Sequence, residues 1–316
     1  MKAIRMHNYG LSDELIYEKA PMPKINDNEV IVKVYATSVN HLDVLKGSGR
    51  MKSSMPIELP WIPGHDFSGI IRNVGENVKH LKVGDKVYGN CNGGSYAQYV
   101  VTDADKVAIK PEILTFVEAA TVPHVGETAW QAIHTHGKLK EGEKVLIHGA
   151  AGAVGSFAVQ FAHDIGAVVY ATAAEEDEEL LYSLGADAVI DYKTVDFTKV
   201  AKDMDLVLVL VGGDTQKRSY SVLKEGGRLV STTGPILKEE AKLHKVKATA
   251  MVIKQSAEDL KKISKLIDEE KVQTDVAIVY DLQDAADAWK VFSGEDPSLP
   301  ALTHGKIVLE VAEEVD

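Results

Sequence analysis

The sequence predicts an α/β protein: a barrel-like β domain built from both ends of the chain, with a parallel-sheet domain inserted between them. Three observations support this. About the first 110 residues break into short apolar or alternating runs separated by glycine and proline turns. From Lys144 onward, β-rich runs alternate with helical segments, the rhythm of βαβ units under a doubly covered sheet. Past residue 270 the pattern of the opening region returns. A chain of 316 residues suggests about two domains, which we set at 1–122 with 273–316, and at 123–272.

Taken in order, strands are expected at 3–6, 29–38, 68–74, 86–88 and 96–102. Asn8-Tyr9-Gly10, Gly75-Glu76-Asn77 and Gly84-Asp85 are turn-formers between them, as is the stretch 60–64. Many short strands in one region suggest a partly closed barrel. Residues 115–137 read as helix interrupted near Pro123, which lacks a backbone donor. Then come strand 145–147, helix 154–165, strand 168–172, helix 176–184, and strands 188–190 and 206–211. Helix 215–223 and strands 228–232 and 247–253 complete the βαβ block. Helix 258–270, strand 276–279, helix 282–292 and strand 306–311 close the chain.

Composition narrows the function. The 47 acidic against 35 basic side chains give a net charge of −12, which repels nucleic acid and anionic lipid, so neither is an expected partner. Cys91 is the single cysteine, which excludes an intramolecular disulfide and a cysteine-rich zinc lobe and fits a reducing compartment. The opening residues lack the apolar stretch of a signal peptide, and no apolar run reaches the roughly 20 residues of a membrane span. A cytoplasmic protein is expected.

The sharpest local feature is the turn Gly149-Ala150-Ala151-Gly152-Ala153-Val154-Gly155, between an apolar strand and a helix whose Phe157, Ala158, Phe161 and Ala162 share one face. Gly152 lets backbone approach a pyrophosphate, Gly155 lets helix and strand pack closely, and the helix N-terminus offers N–H groups to phosphate. Ala150 stands where a strict GxGxxG has glycine. The P-loop pattern GxxxxGK[ST] does not occur, which argues against an ATPase or GTPase. The next strand ends at Thr172, and Ala174 is followed by Glu175, Glu176, Asp177, Glu178 and Glu179. Carboxylates at this point favour the free ribose hydroxyl of NADH over a 2′-phosphate, although acids are also at home in a first helical turn without any ligand.

Together these segments resemble the medium-chain dehydrogenase/reductase superfamily, in its zinc-free, quinone oxidoreductase-like branch. The resemblance runs along nearly the whole chain: Ser38-Val39-Asn40-His41-Leu42-Asp43, Pro63-Gly64-His65-Asp66-Phe67-Ser68-Gly69, Val83-Gly84-Asp85-Lys86-Val87-Tyr88-Gly89 and Gly93-Gly94-Ser95-Tyr96-Ala97-Gln98-Tyr99. It continues through Thr128-Ala129, the glycine turn, Leu184-Gly185-Ala186-Asp187, Ile190-Asp191-Tyr192, Leu223-Lys224-Glu225-Gly226-Gly227-Arg228 and Gly305-Lys306-Ile307-Val308-Leu309. It implies a GroES-like β domain holding both chain ends, an inserted Rossmann domain, a cleft between them for the substrate, and a homodimer.

The resemblance also implies site residues. Zinc-dependent relatives carry cysteine where this chain has Asn40 and Gly-His-Glu where it has Gly64-His65-Asp66, so no metal is expected. Asn40, His41 and His124 are the candidate catalytic residues: Asn40 near substrate or nicotinamide, His41 suited to proton relay near neutral pH, His124 able to touch substrate. Cofactor contacts are expected from Thr128, Ala150, Gly152, Ala153, Val154 and Gly155, and from Thr172, Ala174 and Tyr192. Gly212, Gly213, Thr232, Thr233, Gly234 and Lys306 complete the set. Family members of this kind use NADPH, which is the expected cofactor. The acidic segment argues for NADH, and Lys193 is the basic side chain near it.

The expected function is NAD(P)H-dependent, zinc-independent reduction of a small hydrophobic quinone or α,β-unsaturated carbonyl. Such acceptors spread the arriving negative charge over a conjugated system, so a neutral donor can serve where alcohol oxidation needs a metal. The alternatives are an enoyl or alkenal reductase with little quinone activity, and a nucleotide-binding regulatory protein without turnover.

Overall fold

The computed structural model describes residues 1–296, 298 and 302–312. Its backbone divides into two compact units: Met1–His124 with Gln255–Glu269 and Thr274–Asp316, and Val125–Lys254 with Glu270–Gln273. In chain order the strands are β1 (Lys2–Arg5), β2 (Ile16–Lys19), β3 (Glu29–Ser38), β4 (Asp66–Val74), β5 (Lys86–Asn90), β6 (Tyr99–Asp103) and β7 (Val107–Ile109). There follow β8 (Lys144–His148), β9 (Val168–Ala173), β10 (Ala188–Asp191), β11 (Met204–Val209), β12 (Leu223–Ser231), β13 (Lys247–Ala250), β14 (Val276–Asp281) and β15 (Lys306–Glu310).

The first unit is built on β3. Its sheet runs β14-β15-β3-β4-β5-β7, with β6 also pairing β3. These pairings are antiparallel except β14 with β15. Val30, Val32 and Val34 of β3 alternate into a core with Phe67, Ile71, Val87 and Val107, while Ile31, Tyr35 and Thr37 on the other face are buried as well. A second cluster joins Ile4, Met6, Tyr96, Leu309 and the fully buried Trp289, whose indole N–H donates to the Tyr96 hydroxyl at 3.3 Å. The last strand therefore belongs to the same body as the first, as the returning pattern predicted.

The second unit is a six-stranded sheet, order β10-β9-β8-β11-β12-β13, parallel throughout. In sequence rank that is 3-2-1-4-5-6, the dinucleotide-binding order, with its reversal between β8 and β11. All residues of β11 are buried, as a central strand covered on both faces requires.

The structure departs from expectation in several places, among them the short helices His41–Gly47, Phe197–Val200 and Lys238–Leu243, which the sequence reading did not assign. The strands β2 and β7 went unread because their residues are partly exposed or too few to show alternation. The strand β12 starts at Leu223, through glycines that depress strand propensity, and β13 stops at Ala250. Helical structure past Trp130 continues as a π-helix over Gln131–His136. Helix Ala257–Asp268, expected in the second domain, packs into the first unit: Leu260, Ile263 and Ile267 are buried, and Tyr88 donates its hydroxyl to Leu260 O at 2.7 Å. Among the described residues, no helix is long and apolar enough to cross a membrane.

Candidate functional site

In the second unit the glycine turn sits where β8 ends. Gly149 adopts φ +72°, a conformation that suits glycine, and turns the chain into the helix Ala153–Asp164. A Cβ on Gly155 would stand 2.2 Å from Gly149 O and 2.6 Å from Ala150 O, so helix and strand approach each other as only glycine permits. Gly152 differs. It is the exposed N-cap, with ordinary angles (φ −67°, ψ 164°) and no side-chain cap, and a Cβ there would meet only Gly149 O at 3.4 Å. The first-turn N–H groups of Ala153, Val154 and Gly155 have no intrahelical acceptor by construction. Ala150 is buried, and its N–H is fixed to Thr172 O at 3.1 Å, which ties this turn to the end of β9.

Neighbouring strand ends are also small and open. Gly212 and Gly213 follow β11 and are exposed, with no atom within 4 Å of an added Cβ, and the same holds for Gly234 beyond β12. Thr232 is joined to β11 by its N–H to Val209 O, and the Thr233 hydroxyl donates to Val211 O. Thr128 is buried on the helix Pro123–Trp130. Ala174 is buried beside exposed Glu175 and Glu176, and Tyr192 is 62% exposed, its N–H on Ala173 O. Lys193 Nζ donates to both Glu176 oxygens, at 3.0 and 3.3 Å. Those that follow β8, β9, β10, β11 and β12 lie at the carboxyl edge of the sheet, where such folds take ligands, and they fit a dinucleotide: a bare N-terminal turn, a Cβ-free approach and an open rim.

Sequence reasoning missed His148, which ends β8. It is buried, its Nδ1 is 3.1 Å from Thr172 Oγ1 and its Nε2 3.0 Å from Ser219 Oγ, and burial lowers its pKa to about 4. A polar residue closing the apolar run 145–147 was the available signal.

The first unit holds a buried polar cluster. Asn40 caps the helix His41–Gly47, and its N–H donates to Asp43 Oδ2 at 2.9 Å. Its side-chain amide donates to Asp66 Oδ2 at 2.9 Å and more weakly to Ser38 O at 3.4 Å. Asp66, fully buried, also accepts the Ser38 hydroxyl at 2.9 Å and the His124 N–H at 2.9 Å. Lys306 completes the cluster, its Nζ 2.5 Å from Asn40 Oδ1 and 3.2 Å from Asp66 Oδ2. Beside it Asp43 Oδ1 lies 2.5 Å from His65 Nδ1 and accepts the Gly64 N–H, while His65 Nε2 lies 3.3 Å from Lys46 Nζ. Lys46 had no place in the sequence reading, and Lys306, expected among the cofactor contacts, stands in this cluster beside Asn40 and Asp66, whose distance along the chain hid the pairing.

Two histidines here, His124 and His41, are neutral at physiological pH. Burial lowers the His124 pKa to about 4 despite the opposing carboxylate of Asp66. His41 is exposed, yet its ring packs edge-on against Phe292 at 4.8 Å; desolvation and then the Lys306 charge hold its pKa below the ordinary value.

A zinc ion does not fit these residues. The place of a thiolate is an amide, Asn40, and both ring nitrogens of His65 are taken by Asp43 and Lys46. Asp66 is committed to three donors and an ammonium. Zinc needs deprotonated, uncommitted donors.

Comparison with known proteins places this geometry. The alcohol dehydrogenase GroES-like domain family matches residues 26–112, and the zinc-binding dehydrogenase family matches residues 184–309. The 2-methylene-furan-3-one reductase of Solanum lycopersicum is 35% identical over 285 residues, 86% of this chain and 70% of that protein. The chain belongs to the quinone oxidoreductase-like medium-chain dehydrogenase/reductases. Solved structures agree over its whole length. The quinone oxidoreductase from Coxiella burnetii superposes with TM-score 0.87 at 32% identity, covering 99% of each chain. The Escherichia coli quinone oxidoreductase complexed with NADPH superposes with TM-score 0.87 at 27% identity, covering 98% of this chain and all of that one. In this medium-chain enzyme the GroES-like body is the first unit and the Rossmann sheet the second.

Proposed function

We propose that this reductase uses NADPH to reduce small, apolar α,β-unsaturated carbonyls and quinones. The observation that carries the reading is the open, small-residue rim at the ends of β8, β11 and β12, on a sheet whose order reverses between β8 and β11. A bound reduced nicotinamide supplies a hydride; the protein's part is to hold and orient. Ala150, Gly152, Ala153, Val154 and Gly155 would hold the pyrophosphate. Thr172, Ala174 and Tyr192 would flank the adenosine ribose, Gly212, Gly213, Thr232, Thr233 and Gly234 the second ribose, and Thr128 the nicotinamide ring. Asn40 stands at the acceptor's oxygen. His41, neutral near pH 7, passes a proton from water, and neutral His124 lines the site without changing its charge.

One observation favours a second reading of the cofactor. With Lys193 engaged by Glu176, the ribose end has no free cation among the described residues for a 2′-phosphate and presents carboxylate instead, which favours NADH. The relatives' NADPH use supports the first reading. The single buried cysteine supports a reducing, cytoplasmic setting, and the edge strand β13, with Leu243 and Val252 exposed near it, supports a homodimer.

The test is oxidation of NADPH and of NADH by the purified chain against a panel of simple enones, alkenals and benzo- or naphthoquinones, with products identified by mass. Saturated carbonyls from enones and hydroquinones from quinones, at higher kcat/KM with NADPH, are expected. Enone turnover with no quinone turnover narrows the protein to an alkenal reductase. Thermal stabilisation by either dinucleotide with no oxidation of it against any acceptor would leave a nucleotide-binding regulatory protein instead.

A further inference from the structure

The mismatch with zinc leaves Asp66 in need of a different cation, and the chain supplies one. Val308 pairs with Ser38 across β15 and β3, and the Val39 N–H reaches Ile307 O at 2.9 Å. That register sets Lys306, the first residue of β15, beside Asn40. Lys306 is 5% exposed, Asn40 4% and Asp66 0%. An ammonium carries three N–H donors. One goes to Asn40 Oδ1 and one to Asp66 Oδ2. The third has no partner among the described residues.

A purely structural role accounts poorly for this arrangement. Burying a charge pair carries a heavy desolvation penalty, and well-packed apolar residues of the same volume commonly serve stability as well or better. Retaining an ammonium with an unused donor makes sense where a negative charge arrives later. Reduction of a conjugated carbonyl supplies one. The hydride's electron pair forms a C–H bond at the β-carbon, the C=C pair shifts toward the carbonyl, and the displaced pair collects on oxygen.

We propose that Lys306 is a catalytic residue: its remaining N–H donates to the acceptor's oxygen as charge develops there, the service a metal gives in zinc-dependent relatives. This rests on the reductase reading above. Lys306 donates a hydrogen bond and keeps its protons. A proton from water then goes to the α-carbon (or to the second oxygen of a quinone), so the acceptor gains two electrons and two hydrogens while the dinucleotide loses one hydride. Asp66 holds the ammonium in place on one side, and Asn40 holds it from the other. Lys306, which the resemblance places among the cofactor contacts, acts in this proposal on the acceptor instead.

The experiment compares the wild type with Lys306→Met, Lys306→Arg and the charge-balanced pair Lys306→Met/Asp66→Asn. It measures kcat, KM, dinucleotide Kd and Tm, using enones graded in carbonyl activation and one quinone. Loss of a preorganised oxyanion donor typically lowers kcat by about a hundredfold or more. We expect such a fall in Lys306→Met, steepest for the least activated enone, with dinucleotide Kd nearly unchanged. Lys306→Arg should recover part of the loss, and the charge-balanced pair should recover Tm but not kcat. The inference is overturned if the pair recovers kcat along with Tm, if the loss is equal for all acceptors, or if Kd for the dinucleotide rises while kcat holds. A wild type inert toward every acceptor defeats the reductase reading itself, and the inference with it. An active wild type with any of the other three results defeats the inference alone.

Discussion

Lys193 Nζ lies 3.0 and 3.3 Å from the two carboxylate oxygens of Glu176, so the cation next to Tyr192 is already paired with an acid. A 2′-phosphate at this point has to draw Lys193 away from Glu176 and tolerate the carboxylate left behind. Both side chains are exposed, so the bias is modest and screened by salt. Glu176→Gln frees Lys193 and removes the repulsion together. The expected result is a rise of about fivefold in the affinity ratio of NADPH to NADH, larger at low ionic strength, read by fluorescence titration of both dinucleotides. Equal changes for the two would remove Lys193 from any dealings with the 2′-phosphate.

The two glycines of the nucleotide turn should separate binding from folding. Gly152 has angles any residue adopts and room for a Cβ, whereas a Cβ on Gly155 collides with two backbone carbonyls. Gly152→Val should therefore fold with a Tm near wild type while dinucleotide affinity falls by about tenfold or more, since its branched side chain occupies the phosphate approach. Gly155→Val forces strand and helix apart, and a loss of about 3 kcal/mol or more is expected, at the upper end for overpacking. Calorimetry paired with titration reads both. Normal affinity in a folded Gly152→Val would take the pyrophosphate away from this turn.

Much of the fold was legible because its signals are local. The glycine turn, the βαβ rhythm and the fully apolar run of β11 each announce themselves within a few residues, and the strand order follows once the units are counted. The helix Ala257–Asp268 was misassigned because its amphipathic stripe says that it packs, not against what; the partner, Tyr88, is 172 residues away. The polar cluster was half legible. Asn40, His65 and Asp66 stood in recognisable motifs, but the ring that joins Asp66 to Lys306 spans 240 residues and exists only through the pairing of β15 with β3. Periodicity carries no trace of such a contact.

Cys91 offers a test of burial that is independent of catalysis. It is fully buried, and desolvation pushes its thiol up to about 12, so the thiolate that would react is scarce and out of reach. A disulfide reagent at neutral pH should modify no thiol in the native protein and one per chain in denaturant. Hydrogen peroxide at levels that oxidise exposed thiolates should leave activity intact. Rapid modification of the native chain would mean that the end of β5 at Asn90 and Cys91 opens readily.

Acid stability should be governed in part by His148. Its neutral ring bridges Thr172 and Ser219 in the second unit, and burial holds its folded pKa near 4 against an ordinary 6.5. Between those values the unfolded chain binds the proton that the folded chain refuses, so stability is complete above pH 6.5 and drains away as pH falls toward 4. The linkage relation gives about 2 kcal/mol lost from this residue between pH 7 and pH 5. His148→Asn keeps polar contacts without titrating in this range. It should be less stable than wild type at pH 7, yet lose less on acidification, so that urea unfolding curves for the two proteins converge at pH 5. His124, held near 4 in the first unit by the same desolvation, titrates in parallel in both proteins and cancels from the difference. Curves that stay a constant distance apart from pH 7 to pH 5 would show that His148 takes up its proton as readily in the folded chain as in the unfolded one.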